Sequence, residues 1–319
     1  MQVGIVGYGR LGRAVELMAE HFPGTRAAAV FTKREVGEVK THGTPVYHID
    51  RVEELSRDID CLLICTGSSH DTPVLVPRLA EACNTVDSYD RHADIARHRA
   101  AADRGARLGG NASLVSVGWD PGLLSLFRIY AAAFMPYGVT NTFWGRGVSQ
   151  GHSEAIRRIN GVRQAVQYTE PRTDALTLAE LGVRLTDEER HKRVCYVVAP
   201  IGEKERIEAE IRGLEGYFLG YETDVRFISE EEFRREHSSA SHGGRVLSVG
   251  RTGVYGENSE RLSLSLSLDS NPEFTAGIML SCALAAVRLK REGRCGAYTL
   301  ADIPPSYLLP RGKTESDYL

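Results

Sequence analysis

The first 118 residues alternate short apolar runs with stretches of helical periodicity. The runs predict strands at 3–6, 27–31, 61–65, 85–86 and 114–117, and helical spacing fits 11–21, 73–83 and 95–104. Strands that are apolar at nearly every position are buried on both faces. Alternating with helices, they form a parallel sheet covered on each side. The fold class expected for residues 1–118 is therefore α/β, with a doubly wound parallel sheet. Ligands of such sheets bind at the carboxyl ends of the strands.

From Trp119 the texture changes. A helix is expected over 121–134, and period-two alternation follows. The clearest stretch is LSLSLSLD, which puts Leu262, Leu264, Leu266 and Leu268 on one face and Ser263, Ser265 and Ser267 on the other. That is a strand with one covered face. Residues 119–271 read as a second, α+β substrate-binding domain. A helix follows over 272–292, and the segment 272–319 is expected to return to the first domain. There is no internal repeat and no low-complexity linker.

A chain of 319 residues suffices for two such cores. The net charge of −3 gives no basic field to draw in nucleic acid or an anionic membrane. No apolar run approaches the ~18 residues of a membrane span. The N-terminal Val/Ile run is short and belongs to a glycine turn, so it reads as a strand and not as a secretory signal. The six cysteines show neither a CxxC pair nor a His spacing suited to zinc. They read as free thiols of a reducing cytoplasm, and no metal site is expected.

The glycine turn is the first piece of chemistry. Gly7, Gly9 and Gly12 fit GxGxxG directly after a strand and before a helix. The first allows the tight turn, the second lets the backbone approach a pyrophosphate, and the third allows close helix–strand packing. The helix N-terminus then faces the anion. This setting makes the sheet Rossmann-type and a dinucleotide its expected ligand. The second strand ends at Phe31, where an NAD site would place an acid for the ribose hydroxyl. Thr32, Lys33 and Arg34 arrive first, which suits a 2′-phosphate and hence NADP. The alternative is a solvated basic loop with Glu35 as a displaced NAD-type acid. The next strand end, Thr66-Gly67-Ser68-Ser69, is small enough to lie against the cofactor or to be an ordinary loop.

Two more strand ends carry acids. Asp90 follows VDSY, and Asp120 follows SVGW. Carboxylates there can hold a substrate ammonium or take a proton. Asp120 before Pro121 also fits a helix N-cap, and Asp90 fits a surface turn. In the second domain a Gly-rich loop runs from Trp144 to Ser153. A helix start there offers backbone N–H groups to a carboxylate. Trp144 can wall a pocket or fill a core. Arg193 opens the strand VCYVV and can clamp a carboxylate or merely end a strand. His242 sits in a glycine-rich loop, Ser241-His242-Gly243-Gly244, where an imidazole can overhang a site or serve the turn. Asn271 before Pro272 repeats the cap pattern.

Taken in order, VGYGRLGR, FTKR, CTGSSHDTP, VDSYDRH, SVGWDPG, FWGRGVSQGHSEAIRRI, AVQYT, HKRVCYVV, SHGG and LDSNPEFTA span nearly the whole chain. Together they resemble the meso-diaminopimelate dehydrogenase family. The resemblance implies an NADP-dependent enzyme of diaminopimelate and lysine biosynthesis. It would deaminate the D-centre of meso-2,6-diaminopimelate to L-2-amino-6-oxopimelate, the open form of tetrahydrodipicolinate. It implies a cytoplasmic homodimer whose second domain also dimerises. It puts Gly9, Arg10, Leu11 and Gly12 on the pyrophosphate and Thr32, Lys33 and Arg34 on the 2′-phosphate, with Gly7 also in the cofactor site. Gly67, Ser68, Ser69, Ser88, Tyr89 and Asp90 line the rest of the cofactor. Asp90 and Asp120 become the catalytic candidates. They contact substrate together with Trp144, Gln150, Gly151, Thr169, Arg193, His242 and Asn271. Arg10 stands where the family usually has Asn, and Lys33 where it has Arg. The same residues leave two other readings: another NADP-dependent dehydrogenase or reductase of an amino-acid pathway, or a non-catalytic dinucleotide sensor.

Overall fold

The computed structural model describes residues 1–68, 70–237, 242–310 and 312–319, and of Gln150 the backbone alone. In chain order the first elements are β1 (Gln2–Val6), α1 (Arg10–Ala19), β2 (Arg26–Thr32), β3 (Val46–His48), α2 (Val52–Leu55), β4 (Cys61–Ile64), α3 (Asp71–Ala82), β5 (Thr85–Asp87), α4 (Ile95–Gly109), β6 (Ala112–Leu114) and α5 (Leu124–Phe134). Then come β7 (Val139–Trp144), β8 (Gly147–Val148), α6 (Gln150–Arg157), β9 (Gln164–Pro171), α7 (Thr173–Glu180), α8 (Asp187–Arg190), β10 (His191–Val198), α9 (Lys204–Gly213), β11 (Glu222–Phe227), α10 (Glu230–Glu236), β12 (His242–Thr252) and β13 (Asn258–Leu268). The last two are α11 (Asn271–Arg291) and β14 (Gly296–Tyr298).

The chain divides into two compact units, Met1–Leu126 with Pro272–Leu319, and Phe127–Asn271. In the first, seven strands pair in the order β14-β6-β5-β4-β1-β2-β3, every pair parallel. The order reverses at β1 and β4, the switch point at which doubly wound sheets bind ligands. Alternate residues of the central strands feed two cores. Cys61 and Leu63 pack with α1 and α11, whereas Leu62 and Ile64 pack with α3 and α4. This is why the strands read as unbroken apolar runs.

Several expectations need correction. The strand expected at 114–117 is β6, Ala112–Leu114, because Ser116 at φ 54 breaks the extended backbone there. The helix expected from Pro121 starts at Leu124. Pro121 is extended (ψ 155) and Gly122 takes φ 129, so Asp120 does not cap a helix there. β3 and β14, short edge strands of three residues each, carry too little apolar pattern to be read. One helix, α11, is long and apolar enough by length and composition to cross a bilayer, against the expectation that no run is. Eight of its nine buried residues, from Ala276 to Leu289, form part of the first unit's core. All six cysteines are free.

In the second unit β11-β10-β9-β8 form one sheet and β13-β12-β7 another. β12 and β13 pair antiparallel over their length, from His242 opposite Leu268 to Thr252 opposite Asn258. His242 is thus the first residue of an 11-residue strand and not part of a glycine turn. Along β13 the serines are exposed, while Leu262, Leu264 and Leu266 are half-buried and Leu268 is buried.

A close backbone approach lies at the first turn of α1. A Cβ on Gly12 would fall 2.2 Å from the Gly7 carbonyl oxygen. Gly12→Ala must therefore push α1 off β1. We expect a loss of about 1–3 kcal/mol, as for overpacked cores, read from chemical denaturation. An unchanged midpoint would show that the helix slides without cost.

Candidate active site

The glycine turn is built by constraint from several sides. Gly7 takes φ +91 and donates its N–H to the Phe31 carbonyl at 2.8 Å, tying the turn to the end of β2. Gly9 is the N-cap of α1 and offers no capping side chain, and the first turn carries no acid. The N-terminus keeps its partial positive charge for an anion. A Cβ on Gly9 or on Gly67 would meet nothing within 4 Å, so the backbone is bare for a close-lying ligand. A pocket of about 280 Å³ joins this turn to Thr32, Lys33, Arg34 and Thr66.

The basic loop is held in place. Thr32 is buried, and its Oγ1 accepts the Arg34 N–H at 3.1 Å. Arg34 Nη2 donates to the Tyr8 carbonyl at 2.7 Å. Lys33 Nζ meets Asp71 Oδ1 at 2.6 Å, both about half exposed. Tyr8 donates its hydroxyl to the buried Glu16 carboxylate, which also accepts the N–H groups of His42 at 3.0 Å and Thr44 at 3.1 Å. Burial works to raise the Glu16 pKa, but these hydrogen bonds outweigh it and hold the carboxyl below its ordinary range. Tyr8, Glu16 and Asp71 were not among the expected site residues. A spacing of eight between a Tyr in a glycine turn and a Glu on the next helix has no sequence signature.

At the ends of β5 and β6 a buried carboxylate organises the loops. Asp87 Oδ1 accepts the N–H groups of Tyr89 at 2.9 Å and Ser116 at 3.0 Å, and Oδ2 lies 2.9 Å from His98 Nε2. Asp87 and His98 are both buried. The Tyr89 ring is buried too, stacked 4.3 Å from His98, so this residue offers a ligand its backbone and not its ring. Asp90 is exposed, and its N–H points at Ser68 Oγ, 3.4 Å away. Ser88 is half-buried beside it, and Asp120 is half-buried in the turn before α5. Arg10 is exposed and Leu11 half-buried at the start of α1. Ser69 lies outside the described residues.

The second unit gathers the other expected residues. Arg193 and Thr169 are register partners on β10 and β9, and Arg193 Nη1 donates to Thr169 Oγ1 at 2.5 Å. The guanidinium carbon lies 4.0 Å from the ring centre of Tyr221. Arg193 is only 8% exposed, its Nε has no hydrogen-bond partner, and no carboxylate pairs with it among the described residues. Burial lowers its pKa, against an opposing pull from Tyr221. Gln167 is fully buried, donates to Thr169 Oγ1 at 3.3 Å, and leaves its own Oε1 unpaired. His242 packs on β8, where a Cβ on Gly147 would fall 2.4 Å from His242 Nδ1. Trp144 ends β7, its N–H donating to His191 Nε2 at 2.9 Å.

The Gly-rich loop is shorter than expected, because α6 begins at Gln150. Ser149 caps it, accepting the His152 N–H, so part of the expected carboxylate site is already filled by the chain. Gly151 is exposed on the first turn of α6, and the Gln150 side chain and Ser241 lie outside the described residues. Asn271 is the first residue of α11 rather than the residue before it. Gln167, Tyr221, His152 and His191 were not anticipated. No alternation marks the first and last of these, since β9 is buried without a break from Ala165 to Thr169.

A glycine turn of this kind at the switch point of a parallel sheet, in a chain with a separate second unit, fits the class of dinucleotide-dependent oxidoreductases. Residues 118–270 match the family described as "Diaminopimelic acid dehydrogenase C-terminal domain". Over 312 residues the chain is 44% identical to the meso-diaminopimelate D-dehydrogenase of Corynebacterium glutamicum, covering 97% of this chain and 96% of that one. Its fold is similar to C. glutamicum DAP dehydrogenase in complex with DAP, with a TM-score of 0.92, 43% identity, and coverage of 99% and 97% of the two chains. It is also similar to an engineered D-amino acid dehydrogenase bound to NADP+, with a TM-score of 0.87, 41% identity, and coverage of 99% and 98%. The chain belongs to the meso-diaminopimelate D-dehydrogenase family.

Burial sets the histidines of the second unit. It pushes both His152 and His191 down to about 4, helped for His152 by the Arg193 charge. In the unfolded chain each binds its proton near 6.5. Between these values the unfolded state holds more protons, so acid favours unfolding. This contribution to stability is complete above pH 6.5 and is lost as the pH falls toward about 4. Chemical denaturation from pH 7.5 to 5 is expected to show a steady decline below 6.5, before the carboxylates titrate. A flat profile would mean that these rings protonate in the native state.

Proposed function

We propose that this chain catalyses the reversible, NADP-dependent oxidative deamination of meso-2,6-diaminopimelate at its D-centre. The products are L-2-amino-6-oxopimelate and ammonia. The keto acid cyclises to tetrahydrodipicolinate, so the reverse amination supplies diaminopimelate for lysine biosynthesis. The observation that carries the reading is Arg193, a buried guanidinium with a hydroxyl beside it and no carboxylate paired with it among the described residues. Burying such a charge is costly unless a partner arrives. A substrate carboxylate is the partner that fits its fork.

The residues present also fit the dinucleotide. The bare backbone at Gly9, the uncapped N-terminus of α1 with Arg10, Leu11 and Gly12, and the ordered loop of Thr32, Lys33 and Arg34 would hold pyrophosphate and 2′-phosphate. NADP there supplies the two-electron oxidant that accepts a hydride from the D-carbon. Arg193, Thr169 and His242 fix the carboxylate on that carbon, and Trp144 walls the substrate. Asp90 and Asp120 hold the amine, and one of them takes its proton, since the nitrogen needs its lone pair before the C–H bond can yield a hydride. Water then adds to the iminium carbon, and ammonia leaves. The same reading takes the enzyme as a cytoplasmic homodimer. The free cysteines and the half-covered leucine face of β13 support it.

The decisive assay is the initial rate of NADPH formation by the purified protein at alkaline pH, with NAD and the L,L isomer alongside. Reduction of NADP with the meso isomer alone is expected. No reduction by a protein that still binds NADPH would overturn the proposal. Arg193→Ala is expected to raise KM for the meso isomer by roughly 10- to 100-fold, the worth of one or two charge-assisted hydrogen bonds. An unchanged KM would remove Arg193 from the carboxylate site.

A further inference from the structure

His191 is the most constrained imidazole in the second unit. It is 1% exposed. Its Nε2 lies 2.9 Å from the backbone nitrogen of Trp144, which can only donate. Its Nδ1 lies 3.0 Å from the Asp187 carbonyl, which can only accept. One species satisfies both contacts: the neutral ring with its proton on Nδ1. The ring also stacks on the Trp144 indole, with centroids 5.1 Å apart and planes 20° from parallel. The indole is thus gripped twice by one side chain, through its backbone and through its face.

The connection matters because of what it joins. Trp144 is the last residue of β7, in the three-stranded sheet, and His191 is the first of β10, in the other sheet. Two residues further along β10 stands Arg193. The Asp187 carbonyl comes from α8, which Thr186 and Glu189 fix with a reciprocal cap. The grip on Trp144 therefore runs back to a rigid turn on the same segment that carries the arginine.

We propose that His191 is a positioning residue for substrate binding, locking the Trp144 indole in register with Arg193 through a single neutral tautomer. The proposal rests on reading Trp144 as a wall of the substrate pocket. His191 itself touches neither substrate nor cofactor.

Two amides separate its contacts. His191→Gln reaches the Nε2 position and can accept the Trp144 N–H. His191→Asn reaches only the Nδ1 position, keeping the Asp187 contact and leaving the Trp144 N–H without its acceptor. We expect His191→Asn to raise KM for meso-diaminopimelate about tenfold, the worth of one buried hydrogen bond. We expect kcat and the KM for NADP to change less than threefold, and indole emission to shift to the red. His191→Gln is expected to restore KM and emission to near the native values, and His191→Phe, which keeps the stacked ring alone, to behave like Asn. A merely structural role would lower the melting temperature of the Gln and Asn variants without separating their KM values. Equal KM values for the two amides would overturn the proposal. The reading beneath it fails in a different place: Trp144→Phe with an unchanged KM would take Trp144 out of the pocket wall.

Discussion

The first unit depends on one close approach, the first turn of α1 against the Gly7 carbonyl. Gly12 has no Cβ to hold the two apart, and a side chain there would meet that oxygen at 2.2 Å. With α1 so near, Tyr8 reaches Glu16 on the same helix, and Glu16 reaches the loop at His42 and Thr44. Tyr8 in turn presents its carbonyl to Arg34. The glycine turn and the basic loop are therefore not independent devices. Tyr8 is the joint between them, its hydroxyl on the buried Glu16 carboxylate and its carbonyl on Arg34. This preorganisation lowers the ordering cost that a flexible basic loop would incur on binding.

Asp87 plays the matching part at the other strand ends. Its carboxylate takes two backbone N–H groups from two different loops and faces a buried histidine. Ser116 is a non-glycine residue in the left-handed region, a conformation that persists only when its surroundings determine it. The Asp87 bond to its N–H is the determinant. The chain that leads to Asp120 leaves the sheet in the direction this bond imposes.

The sheet is legible in the sequence because β1, β2 and β4 are apolar on both faces, and the turn is legible because glycine spacing carries its own geometry. The second unit was readable only in part. Alternation revealed β13, but nothing in LSLSLSLD says that its leucines would stay half-covered within one chain. The helix at Pro121 was misplaced because Asp-Pro-Gly fits a cap and fits a turn equally, and Gly122 at φ 129 decides for the turn. His242 read as a loop residue because Gly243 and Gly244 look like breakers. In β12 the pair instead lets strands crowd, with a Cβ on Gly243 only 2.6 Å from the Leu266 carbonyl. The family resemblance named Arg193 and Thr169, but it did not name the residues that hold them. Tyr221 and Gln167 act through packing and hydrogen bonds across strands, for which one chain read alone has no period.

Those supporting residues share an electrostatic logic. Burial holds His152, His191 and His242 neutral, each below its ordinary value. Burial also raises the Tyr221 phenol, although the Arg193 charge pulls it the other way. Gln167 and Thr169 are uncharged. Among these side chains Arg193 alone carries charge at neutral and alkaline pH. A second cation would repel it, and an anion would occupy it. Neutral rings and amides do neither, so the guanidinium stays oriented and unneutralised in a setting of low polarity. On the proposed reading, an arriving carboxylate meets a fixed charge whose attraction is little screened by water. The cost of keeping that charge unpaired is met by the rest of the fold, above all by the cores of the second unit around β9 and β10. On the proposed reading, a substrate carboxylate is the group that completes this buried charge.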